Sequence, residues 1–193
     1  IADAETLLAT KSLSFAAIGR DYIESTRPRT GRTLRFIDKM PLNFFYAGLI
    51  HRALPRARIV CLRRNALDTC LSNYRQLFAT TFSYYNYAYD LLDTGRYYQQ
   101  FDALMRHWRE TIPDAFLEVH YESVIEDTER EARRLLEFCG LTYRPEVLDF
   151  HENAAPVTTA SSVQVRQPIY RTSVDRWRKY EAQLQPLIQL LGQ

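Results

Sequence analysis

The sequence is poor in the residues that build metal centres and disulfide frameworks. Its three cysteines, Cys61, Cys70 and Cys139, lie far apart in apolar or helical surroundings and form no CxxC pair. They read as reduced, small hydrophobes of an intracellular protein. The four histidines, His51, His107, His120 and His151, are scattered without the HxxxH or HExxH spacing that brings two imidazoles to one ion, so no metal site is expected. Net charge is small as well, 25 Lys+Arg against 23 Asp+Glu. No strong field steers the molecule onto nucleic acid or an anionic membrane, and any anion site must be local. No apolar run approaches a membrane span, and no charged-then-apolar leader opens the chain, which makes a cytoplasmic location the default expectation. The chain starts at Ile1 without Met, and an upstream segment is expected to be missing.

What is present suits one domain: 193 residues, 46% of them hydrophobic, bury one full core but not two. Apolar spacing predicts a helix over 5–24, followed by the basic loop RPRTGRT. Residues 34–37 read as a short buried strand that delivers Asp38 and Lys39, and the helix after it begins at Pro41 and stops at Pro55. The clearest strand is 57–62, nearly all apolar, as a parallel strand covered on both faces would be. Arg63, Arg64 and Asn65 follow, and then a helix with Asn65 as N-cap and Asp68 in its first turn.

Downstream, the segment FSYYNYAYDLLDTGRYYQQ carries six tyrosines and is a candidate mobile cover. Tyr84, Tyr85, Tyr87 and Tyr89 either line an acceptor pocket or pack. An amphipathic helix is expected over 95–112 and a strand over 116–121. A helix over 127–140 follows, with Ala132, Leu135, Leu136 and Cys139 inside and Gly140 at its C′ position. A polar loop runs from 156 to 167. A last helix is expected from about residue 173, with Trp177, Tyr180, Leu184, Leu187, Ile188 and Leu191 on one stripe. The α/β alternation predicts helices on both faces of a mainly parallel sheet.

Ligands of open α/β sheets sit beyond the carboxyl ends of the strands, where Arg63, Arg64 and Asn65 lie and where a helix N-terminus adds its positive end. On that helix, Asn65, Asp68, Ser72 and Arg75 follow 3, 4 and 3 spacing and share a face. Arg64 can lie along it toward the Ser72 hydroxyl, giving one phosphate a bidentate cation and a neutral donor.

LPRARIVCLRRNALDTCLSNYRQLF resembles the 3′-phosphate-binding segment of sulfotransferases, in which a strand is followed by Arg, seven residues and Ser. Here that pair is Arg64 and Ser72. IDKMPLNF, VHYESVIEDTEREARRLLEFCGL and VRQPIYRTSVDRWRKYEAQL resemble the same family in the same order. The match is closest to bacterial sulfotransferase domains often joined to tetratricopeptide repeats, and more distant to tyrosylprotein sulfotransferases. The resemblance implies a P-loop-like three-layer fold and 3′-phosphoadenosine-5′-phosphosulfate (PAPS) as donor, with no metal. It implies a small-molecule or peptide acceptor, and a tetratricopeptide region in the full-length protein. It further implies that Tyr121 contacts the adenine, that Lys39 lies at the sulfuryl group, and that the loop 161–167 closes over the nucleotide. Arg166 is the candidate phosphate ligand in that loop.

Family members begin with a strand and a PRSGTT-like loop for the 5′-phosphosulfate, and neither is identified here. RTGRT at 29–33 precedes Lys39 too closely to serve. Two other functions compete with sulfuryl transfer. A P-loop small-molecule kinase would need a Walker loop, whereas the 57–62 strand ends in Arg-Arg. A non-catalytic nucleotide-binding module would explain the absent 5′-loop.

Overall fold

A computed structural model describes residues 4–9, 12–79, 81, 83–152, 169 and 171–192. The chain is mixed α/β and mostly helical. Its elements are α1 (Ala4–Ala9), α2 (Phe15–Thr30), a 3-10 turn (Pro41–Tyr46) running into α3 (Ala47–Ala53), β1 (Ile59–Arg63) and α4 (Ala66–Tyr74). After a 3-10 stretch (Ser83–Tyr89) come α5 (Leu91–Thr111), β2 (Phe116–His120), α6 (Tyr121–Glu126) and α7 (Thr128–Phe138). Two further 3-10 stretches (Pro145–Glu152 and Arg176–Tyr180) precede α8 (Gln185–Leu191). Among the described residues β1 and β2 make a two-stranded parallel sheet. The chain divides into two compact units, residues 1–59 with 102–117, and 60–101 with 118–193.

In the first unit α2 and α3 approach until their backbones touch. A Cβ on Gly19 would lie 2.0 Å from the Ala53 carbonyl oxygen, so only glycine fits there. Gly48 faces the Trp108 ring in the same way, at 2.9 Å, and the indole N–H donates to the Phe44 carbonyl at 2.8 Å. Ser14 caps α2 by accepting from the Ala17 N–H at 3.4 Å, which splits the single helix expected over 5–24. The helix then continues through Pro28 to Thr30, where a loop was expected. Gly31, at φ 61°, ends it by donating to the Arg27 carbonyl.

The strand expected over 34–37 does not form. Residues 35–40 have no regular structure, and Leu34 and Ile37 are 103% and 94% exposed. Apolar side chains alone do not make a strand, because its N–H and C=O groups need a neighbour, and this stretch joins neither β1 nor β2. The Asp38 carboxylate at its end instead accepts from the Tyr22 hydroxyl.

In the second unit α4 turns Leu67, Cys70 and Leu71 into a core completed by Leu184 and Leu187, with Leu91, Tyr98, Trp177, Ile188 and Leu191 around it. Gly95 lets α8 close in, since a Cβ there would stand 2.6 Å from Leu187 and 2.7 Å from Leu190. The C-terminal stripe is thus a core stripe, but not one helix: residues 181–184 form turns, and α8 starts afresh with Pro186 in its first turn, where a missing N–H costs nothing. Tyr180, expected on the stripe, is exposed. α7 is capped by Asp127, which accepts from the Arg130 N–H at 3.0 Å, and Gly140 follows it at φ 62°. Ala132, Leu135, Leu136 and Cys139 are half-buried, and the fully buried residue of α7 is Glu131, held by Arg134 at 2.7 Å. The tyrosine-rich stretch packs on itself: Tyr87 and Tyr97 stack at 3.7 Å between centroids.

Leu187 has no exposed surface, so Leu187→Ala is expected to lower the unfolding free energy by about 2–5 kcal/mol in denaturant titration. A loss within error would mean that α8 is not part of this core. Burial pushes the Tyr87 phenol up to about 12, and burial, followed by the bond to Asp38, does the same to Tyr22. The unfolded chain releases these protons first, near 10, so stability is complete below pH 10 and falls as pH rises toward 12. Denaturation midpoints measured across that window should fall less steeply in the Tyr22→Phe/Tyr87→Phe double variant. Equal slopes would refute the assignment.

Candidate functional site

β1 ends on two arginines that do different work. Arg63 turns into the second unit: its guanidinium pairs with Glu118 at 2.9 Å, donates to the Tyr98 hydroxyl at 3.2 Å and lies 5.5 Å over the Phe101 ring. Both members of the ion pair are 10% exposed, which makes Arg63 a buried structural cation. Arg64 retains 24% exposure at the side chain. Its Nη2 donates to the Ser173 carbonyl and lies 3.2 Å from Asp68 Oδ2, and its guanidinium sits 5.6 Å over the Tyr121 ring.

The turn from strand to helix is fixed by two side chains. Asn65 Oδ1 accepts from the Asp68 N–H at 3.1 Å, the N-cap bond expected of it. The Asn65 N–H donates to Glu122 Oε1 at 2.8 Å, so a carboxylate already sits at the positive end of α4. Asp68 is fully buried; its Oδ1 accepts from the Trp177 N–H at 2.9 Å. The two guanidinium groups are therefore met by Glu118 and Asp68, and an incoming anion meets a site with little net positive charge. Arg64 Nε is buried with no hydrogen-bond partner among the described residues.

Of the residues singled out from the sequence, the fold brings Arg64 and Tyr121 together. Ser72 is exposed on α4. It shares no solvent face with Asp68, because the helix buries Ala66, Leu67, Asp68, Cys70 and Leu71. Arg64 turns toward Asp68 rather than along the helix toward Ser72, and Arg75 lies over the Tyr180 ring at 5.6 Å. Lys39 belongs to the first unit and is exposed. Arg166 and the loop 161–167 lie outside the described residues. Tyr121 opens α6 instead of ending β2.

The sequence places Asp68 on the helix face of the site without a role in it, and does not announce Ser173. Asp68 carries a signal, an acidic residue four positions after Arg64, but on a helix that spacing usually marks a surface pair. Ser173 contributes a backbone carbonyl, which no residue pattern reveals. Burial and the Glu118 charge push the Cys61 thiol up to about 11, and burial pushes Cys70 up to about 12, so neither is a thiolate at neutral pH. No cluster of His, Cys, Asp and Glu among the described residues could hold a metal ion.

An uncharacterized protein of Aquifex aeolicus (strain VF5) is 42% identical to this chain over 170 residues, which are 88% of the chain and 22% of that protein. The chain therefore spans about a fifth of that relative's length. The model of the sulfotransferase family matches residues 2–145, which include β1, the Arg64 turn, α4 and Tyr121. With three quarters of its length covered by that match, the chain belongs to the sulfotransferase family.

Proposed function

We propose that the chain is a PAPS-dependent sulfotransferase domain in which Arg64 binds the 3′-phosphate of the donor. The observation that carries this is the position of Arg64: half-buried, beyond the carboxyl end of a parallel strand, one residue before a capped helix, in a chain of the sulfotransferase family. The partly exposed guanidinium suits a fork of N–H donors to phosphate oxygens. Ser72, one turn along α4 from Asp68 and exposed, is the neutral donor to the same phosphate. Tyr121, already against the Arg64 guanidinium, offers its ring to the adenine. Arg166 is the ligand to a second phosphate. β1 and β2 are then part of a larger, mainly parallel sheet of a P-loop-like three-layer domain spanning residues 1–193.

Sulfuryl transfer needs little covalent work from a protein. The acceptor oxygen or nitrogen forms a bond to sulfur while the bond from sulfur to the bridging oxygen of the 5′-phosphate breaks. The acceptor proton leaves to a base, and adenosine 3′,5′-bisphosphate departs. Lys39 stabilises the charge that gathers on the bridging oxygen. The transferred group carries one negative charge, and the phosphates meet arginines and backbone donors, so no metal takes part. The domain acts on a hydroxyl or amine of a small molecule or peptide, within a longer protein that carries tetratricopeptide repeats and works in the cytoplasm.

Two measurements test this. In calorimetry of the full-length protein with adenosine 3′,5′-bisphosphate, Arg64→Ala is expected to lose about 1.5–3 kcal/mol of affinity. Unchanged affinity would remove Arg64 from the site. Lys39→Ala is expected to lower kcat by ~10²-fold while leaving bisphosphate affinity almost unchanged, because the charge it meets develops only in the transition state. A normal kcat would return Lys39 to the ordinary surface lysines.

A further inference from the structure

Asp68 is the only carboxylate of α4, and its side chain has 0% exposure. Its two oxygens are divided. Oδ1 accepts from the Trp177 N–H at 2.9 Å, while Oδ2 lies 3.2 Å from Arg64 Nη2. The same Nη2 donates to the Ser173 carbonyl, so one carboxylate and one carbonyl hold one end of the guanidinium. The carboxylate is itself held in place: it stands in the first turn of α4, with its own N–H bonded to Asn65.

Resting on the reading of Arg64 as a phosphate ligand, we propose that Asp68 is the positioning residue for 3′-phosphate recognition. It aims the Arg64 guanidinium and, through Trp177, fixes the 173–177 segment that supplies the second hold on it. A long arginine loses rotamer freedom whenever it grips an anion. With Nη2 already held, that loss is taken before the nucleotide arrives, and the part of the side chain that stays 24% exposed is left to meet a phosphate oxygen. Asp68 lowers the net charge of the site as well, so the attraction of Arg64 for anions in general is exchanged for an orientation that favours a phosphate at one place. Its effect is thus on selectivity between nucleotides with and without a 3′-phosphate.

The test compares adenosine 3′,5′-bisphosphate with adenosine 5′-phosphate by calorimetry on the full-length protein, with thermal unfolding as the control for folding. Asp68→Asn retains an acceptor for the Trp177 N–H and removes the charge facing Arg64. It is expected to lower the preference for the bisphosphate by about tenfold. Asp68→Ser, smaller and uncharged, carries the same expectation and serves if the asparagine does not fold. A purely structural role would weaken both nucleotides equally, so an unchanged ratio overturns the proposal, as does a raised one. Arg64→Ala separates the two levels. If it abolishes the preference while the Asp68 variants keep it, positioning by Asp68 is wrong and the phosphate site stands. If Arg64→Ala itself keeps the preference, the phosphate site falls, and Asp68 with it.

Discussion

A carboxylate with no access to water must be paired within the protein, and Asp68 places that demand on the second unit. Its oxygens take the Trp177 N–H and the Arg64 guanidinium. Its backbone takes part in the N-cap of α4 through Asn65. Two stretches distant in sequence, the continuous turn from the end of β1 into α4 and the chain at 173–177, are thereby fixed around one charge. A hydrophobic contact at the same place could slide or repack, whereas an ion pair whose two members are each hydrogen-bonded elsewhere, Asp68 to the Trp177 N–H and Arg64 to the Ser173 carbonyl, has few alternative geometries.

The apolar side of α4 supports that arrangement. Leu67, Cys70 and Leu71 pack with Leu184 and Leu187, and the absence of a side chain at Gly95 lets α8 approach. Burial there keeps the Cys70 thiol protonated, up to about 12, so that it acts as a filler. Arg63 serves packing as well, its charge met by Glu118 inside the unit. Adjacent arginines thus divide the work: Arg63, the last residue of β1, is paired within the unit, while Arg64, just past it, stays partly open to solvent.

The sequence carried much of the local architecture. β1, the Asn65 cap, α5, β2 and α7 with Gly140 beyond its end appear within a few residues of where periodicity and capping chemistry put them. The errors have two kinds. Helix ends were misjudged where a serine cap or an internal proline competed with an unbroken apolar pattern, as at Ser14 and Pro28. The second kind is non-local: residues 34–37 have the apolar content of a strand but join neither β1 nor β2, and strand formation depends on that neighbour more than on composition.

By itself the sequence determined the family, because stretches in a fixed order carry it, three of them within the matched residues 2–145, and it determined that Arg64 stands at a strand end before a capped helix. Both are properties of residue identity and spacing. Tertiary structure alone decided what Arg64 touches. Helical spacing placed Asp68 on a face with Ser72, yet packing of α4 buried Asp68 and left Ser72 in solvent. Spacing fixes which residues share a face of a helix; which part of that face is covered depends on elements arriving from elsewhere in the chain. Here they are a backbone N–H at Trp177 and a carbonyl at Ser173, groups that every residue possesses and no pattern marks.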